Sequence, residues 1–214
     1  MTADDDRDIP TELTDTEVVS ERWDGADLSG RTFRQVTFLD VDLTETVATG
    51  ATFEQCTFRD CDLNVSRFTD SAFVNCTFVR SSLFGARLHG CKLVGTQFER
   101  CRFGAFEAVG GSWRFVRLPA ADLRKTTFRR VDLREADLSG ARFNGATLHH
   151  LDLLGAELHQ TDFTGADLRG SELSTFDLTT TIVRNAVVDL DQAVALVRTL
   201  GIDVREEVPL DLEL

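Results

Sequence analysis

The chain has little of what most chemistries need. Histidine occurs only at His89, His149, His150 and His159. No Gly-rich phosphate loop, nucleophile elbow or metal-binding pair is present. The sequence is therefore read as a non-enzyme with no cofactor, no metal and no small-molecule substrate. Apolar runs are short, well under the ~20 residues that span a bilayer, so no membrane association is expected. The opening MTADDDRDIP is acidic and lacks the apolar stretch of a signal peptide, which points to a cytoplasmic protein. Basic residues are outnumbered, 23 Lys and Arg against 36 Asp and Glu, for a net charge of −13. Such a charge disfavours direct nucleic-acid binding and favours solubility.

What is abundant is a period. In ADLSGARFNGATLHH (136–150) a small residue opens each group of five and Leu or Phe stands third. The third-position register runs from Trp23 to Val183 through 33 positions without a frameshift, and only Ala48 and Ala108 are not large and apolar. Two residues earlier the chain is mostly small, as at Ala26, Ala51, Ser66, Ala86, Ala136 and Ala166, with Arg31, Phe106, Leu151 and Phe176 as exceptions. Two residues in five thus point inward. Neither the helical period near 3.6 nor the strand period of 2 fits. A chain that turns a corner about every five residues and stacks on itself as a solenoid does fit. Cys56, Cys61, Cys76, Cys91 and Cys101 all occupy the small inward slot. They are read as free, buried small hydrophobes, because Cys56 and Cys61 lack the spacing of a zinc site.

The quintets ADLSG (136–140), ADLRK (121–125) and GADLRG (165–170) resemble the A(D/N)LXX motif of the pentapeptide-repeat family. The resemblance implies an all-β fold, a right-handed quadrilateral β-helix with four quintets per coil of twenty residues. The sequence alone yields the five. It supports the twenty only through Ala48 and Ala108, which are sixty apart and so share a side. On such a coil Phe38, Phe58, Phe78 and Phe98 form a ladder at about 4.8 Å, and eight coils make a rod of roughly 40 Å.

Three segments are expected. Residues 1–20 are charged and out of pattern and are read as a disordered segment or loose cap. Residues 21–188 form the β-helix. Residues 189–214 carry a C-terminal helix and tail. In DLDQAVALVRTLG (189–201) Leu190, Ala193, Val194, Val197 and Leu200 share a stripe, with Leu196 off it. Asp189 and Gln192 suggest a capping box, and Gly201 a stop. The tail VPLDLEL (208–214) alternates Leu210, Leu212 and Leu214 and suits pairing with a sheet edge. At GAFEAVGGSW (104–113) the large and small slots are swapped and Gly110-Gly111 follow, so a bulge or bend is expected there.

VDLDQAVALVRTLGIDV resembles the C-terminal segment of MfpA-type quinolone-resistance pentapeptide proteins. That implies a homodimer joined end to end through Leu190, Ala193, Val194, Leu196, Val197 and Leu200. Outside the coil, residues twenty apart stack in columns. Asp132, Asp152 and Glu172 form one acid column, and Asp137, Glu157 and Asp177 form a second beside it. Arg114, Arg117, Arg124, Lys125, Arg129, Arg130 and Arg134 cluster in the middle of the chain. One reading of the acid columns is local: Asp before Leu supports the turn through side-chain to backbone hydrogen bonds. The other is that the rows imitate duplex DNA, which carries about one charge per 1.7 Å. The resemblance to MfpA-type and Qnr-type proteins implies the second. Those proteins occupy the DNA-binding surface of type II topoisomerases, chiefly DNA gyrase, and blunt quinolones. The alternative is a scaffold protein with a different protein target.

Overall fold

The period of five has a backbone cause. Every fifth residue from Asp15 to Gly170 adopts a left-handed conformation, with φ between +48° and +75°. One such residue cannot continue a strand, so the chain turns a corner after each short extended stretch. Four corners close a square, and the computed structural model, which describes residues 9–205, is a right-handed quadrilateral β-helix with a C-terminal helix. Pairing is parallel and strictly twenty residues apart, from Glu12↔Thr32 through Phe38↔Phe58 and Leu88↔Ala108 to Asp167↔Val187. Successive coils exchange backbone bonds, such as Leu63 N–H to Ser82 O at 2.7 Å and Thr77 N–H to Cys56 O at 2.9 Å.

The four sides are named by their inward large residues. The first runs from Leu13 to Leu173, the second from Val18 to Leu178, the third from Trp23 to Val183, and the fourth from Leu28 to Val188. Strands form on the first, second and fourth sides as sheets of four, five and six strands. The third side is held by single bridges such as Arg22↔Asp42 and Ser82↔Arg102.

The interior is ordered in columns. On the second side the Phe38, Phe58, Phe78 and Phe98 rings stack at 4.7, 4.5 and 4.8 Å. Each buried ring contributes about 1.5–3 kcal/mol by transfer from water, and each ring pair about 0.5–1.5 kcal/mol more. The small slot holds hydroxyls and thiols without cost because each has an acceptor. Thr46 Oγ1 donates to Trp23 O at 3.1 Å, Ser171 Oγ to Leu148 O at 2.7 Å, and Cys91 Sγ to Phe68 O at 3.3 Å. In these three the acceptor is the carbonyl 23 residues back, whereas Ser66 and Thr126 use the carbonyl three residues back, Leu63 O and Leu123 O. Either way a buried polar pair is satisfied. The cysteines are free. Burial pushes the Cys61 and Cys91 thiols up to about 11, which keeps them protonated and unreactive.

Two expectations are revised. The solenoid starts before residue 21: Glu12–Thr14 and Glu17–Val19 pair with Thr32–Arg34 and Thr37–Leu39. Leu13 and Val18 fill the large slot there, so the apolar register outweighs the surrounding charge. Residues 1–8 and the 206–214 part of the tail, including Leu210, Leu212 and Leu214, lie outside the described residues. No bulge forms at 104–113, where Leu88↔Ala108↔Phe128 and Lys92↔Ser112↔Asp132 stay in register. Phe106 turns its ring into the space that Ala108 leaves, and both are buried. Gly111 serves close contact between coils, since a Cβ there would lie 2.0 Å from Cys91 O. A real irregularity comes later. Thr175 and Thr180 leave the left-handed corner, and Gln160 N–H bonds Thr180 O, one residue beyond the regular partner.

The last coil is covered by α1 (Leu190–Thr199), whose capping box forms as the sequence predicts, with Asp189 and Gln192 bonding each other's backbone. Gln192 does more. It is buried, and its Nε2 donates to Leu168 O and Ser171 O, both at 2.7 Å. It thereby satisfies Ser171 O, which has no further coil to bond, and adds a second donor to Leu168 O, which already accepts from Ser171 N–H at 3.0 Å.

Candidate partner-binding surface

The outward residue before each large one carries the acid columns. On the first side Asp132 bridges Asp152, and Glu172 follows with its N–H on Leu151 O. On the second side Asp137 bridges Glu157. The two rows flank one edge of the prism, and Glu135 stands on that edge, leaning over Gly155. Asp177 lies where the ladder loosens, and its carbonyl accepts from Thr180 and Thr181. The six predicted residues therefore do gather on two adjacent sides, with Asp177 off the regular rung.

Most of these carboxylates also build the turn. Asp132, Asp137, Asp152, Glu172 and Asp177 each accept the backbone N–H two residues on, from Arg134, Ser139, Leu154, Ser174 and Thr179. Glu157 does not, and it has no ion pair among the described residues. Hydrogen bonding holds three of the acids below the usual carboxylate range: Arg134 for Asp132, Ser174 for Glu172 and Thr179 for Asp177. Each of the three therefore keeps its charge to a lower pH than an ordinary carboxylate.

Bases interrupt the rows. Arg134 bonds Asp132 through Nε and Nη2 at 2.9 and 2.8 Å and reaches Asp152 at 3.3 Å. Arg117 sits 3.6 Å from Asp137. The signal for the first pairing lies in the tripeptide Asp-Leu-Arg, which recurs at 122–124, 132–134 and 167–169. In each the guanidinium folds back bidentately on the carboxylate. The fourth side, opposite the second row, carries Arg129, Arg130, His149, His150 and Arg169 against Asp167. The C-terminal half of the prism is thus acidic along one edge and basic on another side.

The predicted helix stripe divides. Leu196, off that stripe, is half-buried and packs against the core. Leu190 is 80% exposed and Leu200 56% exposed, while Ala193, Val194 and Val197 are half-buried. Among the described residues no group of His, Cys, Asp and Glu is arranged to hold a metal. No helix there is long and apolar enough to cross a membrane.

A family model for pentapeptide repeats matches eight copies, over residues 24–60, 61–100, 114–150 and 141–179. The chain belongs to the pentapeptide-repeat family. The matched residues skip 101–113, where the large and small slots are exchanged. Among solved structures, full-length QnrB1, a plasmid-mediated fluoroquinolone resistance protein, superposes with a TM-score of 0.70. The two are 22% identical over 89% of this chain and 100% of QnrB1. A trypsin-treated variant of QnrB1 gives 0.62 at 24% identity, over 91% of this chain and 97% of that one. HetL of the cyanobacterium Nostoc sp. strain PCC 7120, involved in heterocyst differentiation regulation, gives 0.50 at 22% identity. That match covers 82% of this chain and 86% of HetL. At these identities the likeness is one of fold. No curated protein sequence matches the chain.

Proposed function

We propose that this pentapeptide-repeat protein acts by binding, as a cytoplasmic DNA mimic that occupies the DNA-binding surface of a type II topoisomerase such as gyrase. The observation that supports this reading is the pair of acid rows on adjacent sides of a narrow rod. Their members repeat at the coil spacing of about 4.8 Å. A basic saddle built for phosphates would meet two lines of fixed anions flanking an edge. Dimerisation through the exposed Leu190 and Leu200 of α1 would join two rods at their acid ends and double the charged length. Modulation of supercoiling and protection against quinolones follow if the rod competes with DNA for that surface. The competing role, a scaffold for another protein, uses the same rod without needing the rows.

The test is a supercoiling assay with purified gyrase at micromolar rod, with and without a quinolone. Glu135→Lys/Glu157→Lys is the informative variant, because neither carboxylate has a turn role or an ion pair among the described residues. Loss of the effect with an unchanged fold supports mimicry. An unchanged effect, or none with the native chain, removes it.

A further inference from the structure

The positive charge of this acidic chain is concentrated. Between Arg100 and Arg134 there are nine basic residues and three acidic ones. They ring the middle of the rod, and on the third side they border a depression in its surface. The outward column there reads Asn64, Phe84, Gly104, Arg124, Asn144. Gly104 has no left-handed φ, so its backbone does not require glycine. Space does: a Cβ there would lie 2.8 Å from Phe84 Cδ2 and 3.0 Å from Cε2. The Phe84 ring thus reaches over residue 104 while remaining 55% exposed. Asn64 fixes its base, accepting from Ser82 Oγ at 2.6 Å and from Phe84 N–H at 3.2 Å.

Beyond the missing side chain lies a hollow of about 620 Å³ lined by Arg102, Phe103, Gly104, Arg124, Lys125 and Asn144, among others. A smaller one of about 290 Å³ lies between Asn64, Ser82, Phe84 and Arg102. Arg102 borders both, and the two neighbouring hollows together make the trough of the third side. The one carboxylate in the larger hollow, Asp122, is already taken by Arg124 at 2.6 Å and Arg142 at 3.0 Å. Arg102 has only a 3.8 Å contact to Asp62, and Lys125 has no ion pair among the described residues.

The geometry points to this trough as a docking site for a short acidic polypeptide segment carrying one aromatic or large apolar side chain. Carboxylates of the segment would pair with Arg102 and Lys125, and its apolar side chain would lie on Phe84 in the hollow over Gly104. Length decides against a polynucleotide. The basic belt covers about two coils, roughly 10 Å of axis, and beyond it the rod is acidic. A nucleic-acid strand would carry its phosphates into like charge on either side, whereas four or five residues of peptide concentrate theirs within the belt. The site is separate from the acid edge and does not depend on the topoisomerase reading.

The experiment is fluorescence anisotropy of the full chain with a labelled ten-residue peptide of Asp and Glu around a central Phe. The same peptide with Ala for Phe and a labelled oligothymidylate are run alongside. Binding in the micromolar range is expected, weakened at least tenfold by Arg102→Glu/Lys125→Glu and about threefold by Phe84→Ala or by the Ala peptide. Glu157→Lys, on the second side, should leave it within twofold. Circular dichroism checks that each variant keeps its fold. No peptide binding, binding indifferent to the Arg102/Lys125 reversal, or tighter binding of oligothymidylate would each overturn the proposal.

Discussion

The exchange of slots at Phe106 and Ala108 makes a sharp test of how the coils pack. Phe106 is fully buried, its ring 5.5 Å from Phe103, 5.7 Å from Phe128 and 6.0 Å from Trp113. Its space exists because the large slot two residues on holds only Ala108, paired between Leu88 and Phe128. Phe106→Ala leaves a cavity that the fixed ladder cannot close and should cost about 3–5 kcal/mol. Ala108→Phe alone forces a second ring into a filled layer, at about 1–3 kcal/mol. Made together, the two changes restore the ordinary quintet at nearly constant volume and should cost under about 1.5 kcal/mol. The coupling is then at least about 2.5 kcal/mol and centrally about 4.5 kcal/mol, at or above the top of the range for residues in contact. Urea denaturation followed by circular dichroism gives all four corners of the cycle. Additive losses would mean that the rings do not share one space, and the account of the missing bulge would fall with it.

Val65 is β-branched, 42% exposed and held at φ +58°, a conformation that costs such residues about 1–2 kcal/mol. Val65→Asn should therefore raise the urea midpoint, by about 0.5–1 kcal/mol of stability. Gln192→Leu removes the Nε2 donor from Leu168 O and Ser171 O. Leu168 O keeps the Ser171 N–H, whereas Ser171 O is left without a donor, and one buried orphan costs about 1–3 kcal/mol, so hydrogen exchange should accelerate in the last coil and leave the first coils unchanged. Asp122, Asp132 and Asp167 are held below the ordinary carboxylate range, chiefly by the arginine two residues on. Depressed carboxylates stabilise the fold above their unfolded value near 3.9, and that contribution is lost as pH falls through the folded one. Stability should decline from about pH 5 downward, and Asp132→Asn should flatten that decline in urea midpoints measured against pH.

The solenoid is legible in the sequence because its rule is one-dimensional: a large apolar residue each fifth position, and a small one two before it. The left-handed corner that causes the rule is hidden, since Asp, Gln, Arg, Val and Phe all occupy it beside Gly. The start of the rod is obscured because Leu13 and Val18 follow Thr11 and Thr16 in a charged stretch, where the small-slot signal is weak. Stacking at twenty residues finds the acid columns but does not set Arg134 against them. That arginine occupies the neighbouring outward column, and only the Asp-Leu-Arg geometry folds it back on Asp132. Phe84 and Gly104 are invisible as a pair, because nothing in a sequence marks a ring lying over a residue twenty positions away.

The acid edge has to be judged against what the repeat itself demands. An Asp before the large residue accepts the N–H two residues on, so the repeat collects carboxylates for local reasons wherever it is regular. A row of such aspartates says little about a partner, and Arg134 and Arg117 partly neutralise theirs. Glu135 and Glu157 differ. One stands at a left-handed corner where Gly or Asn would be easier, and neither caps a turn nor pairs with a base among the described residues. They add charge to an edge that the fold does not need charged. Reversing them changes the field of that edge without touching the turns, whereas reversing Asp132 would disturb Arg134 and the corner together. If Glu135→Lys/Glu157→Lys keeps the urea midpoint of the native chain, any binding it loses is electrostatic. If the midpoint drops by more than about 1 kcal/mol of stability, beyond what an exposed charge commands, then these two carboxylates serve the fold as the aspartates do, and their charge is no sign of a partner.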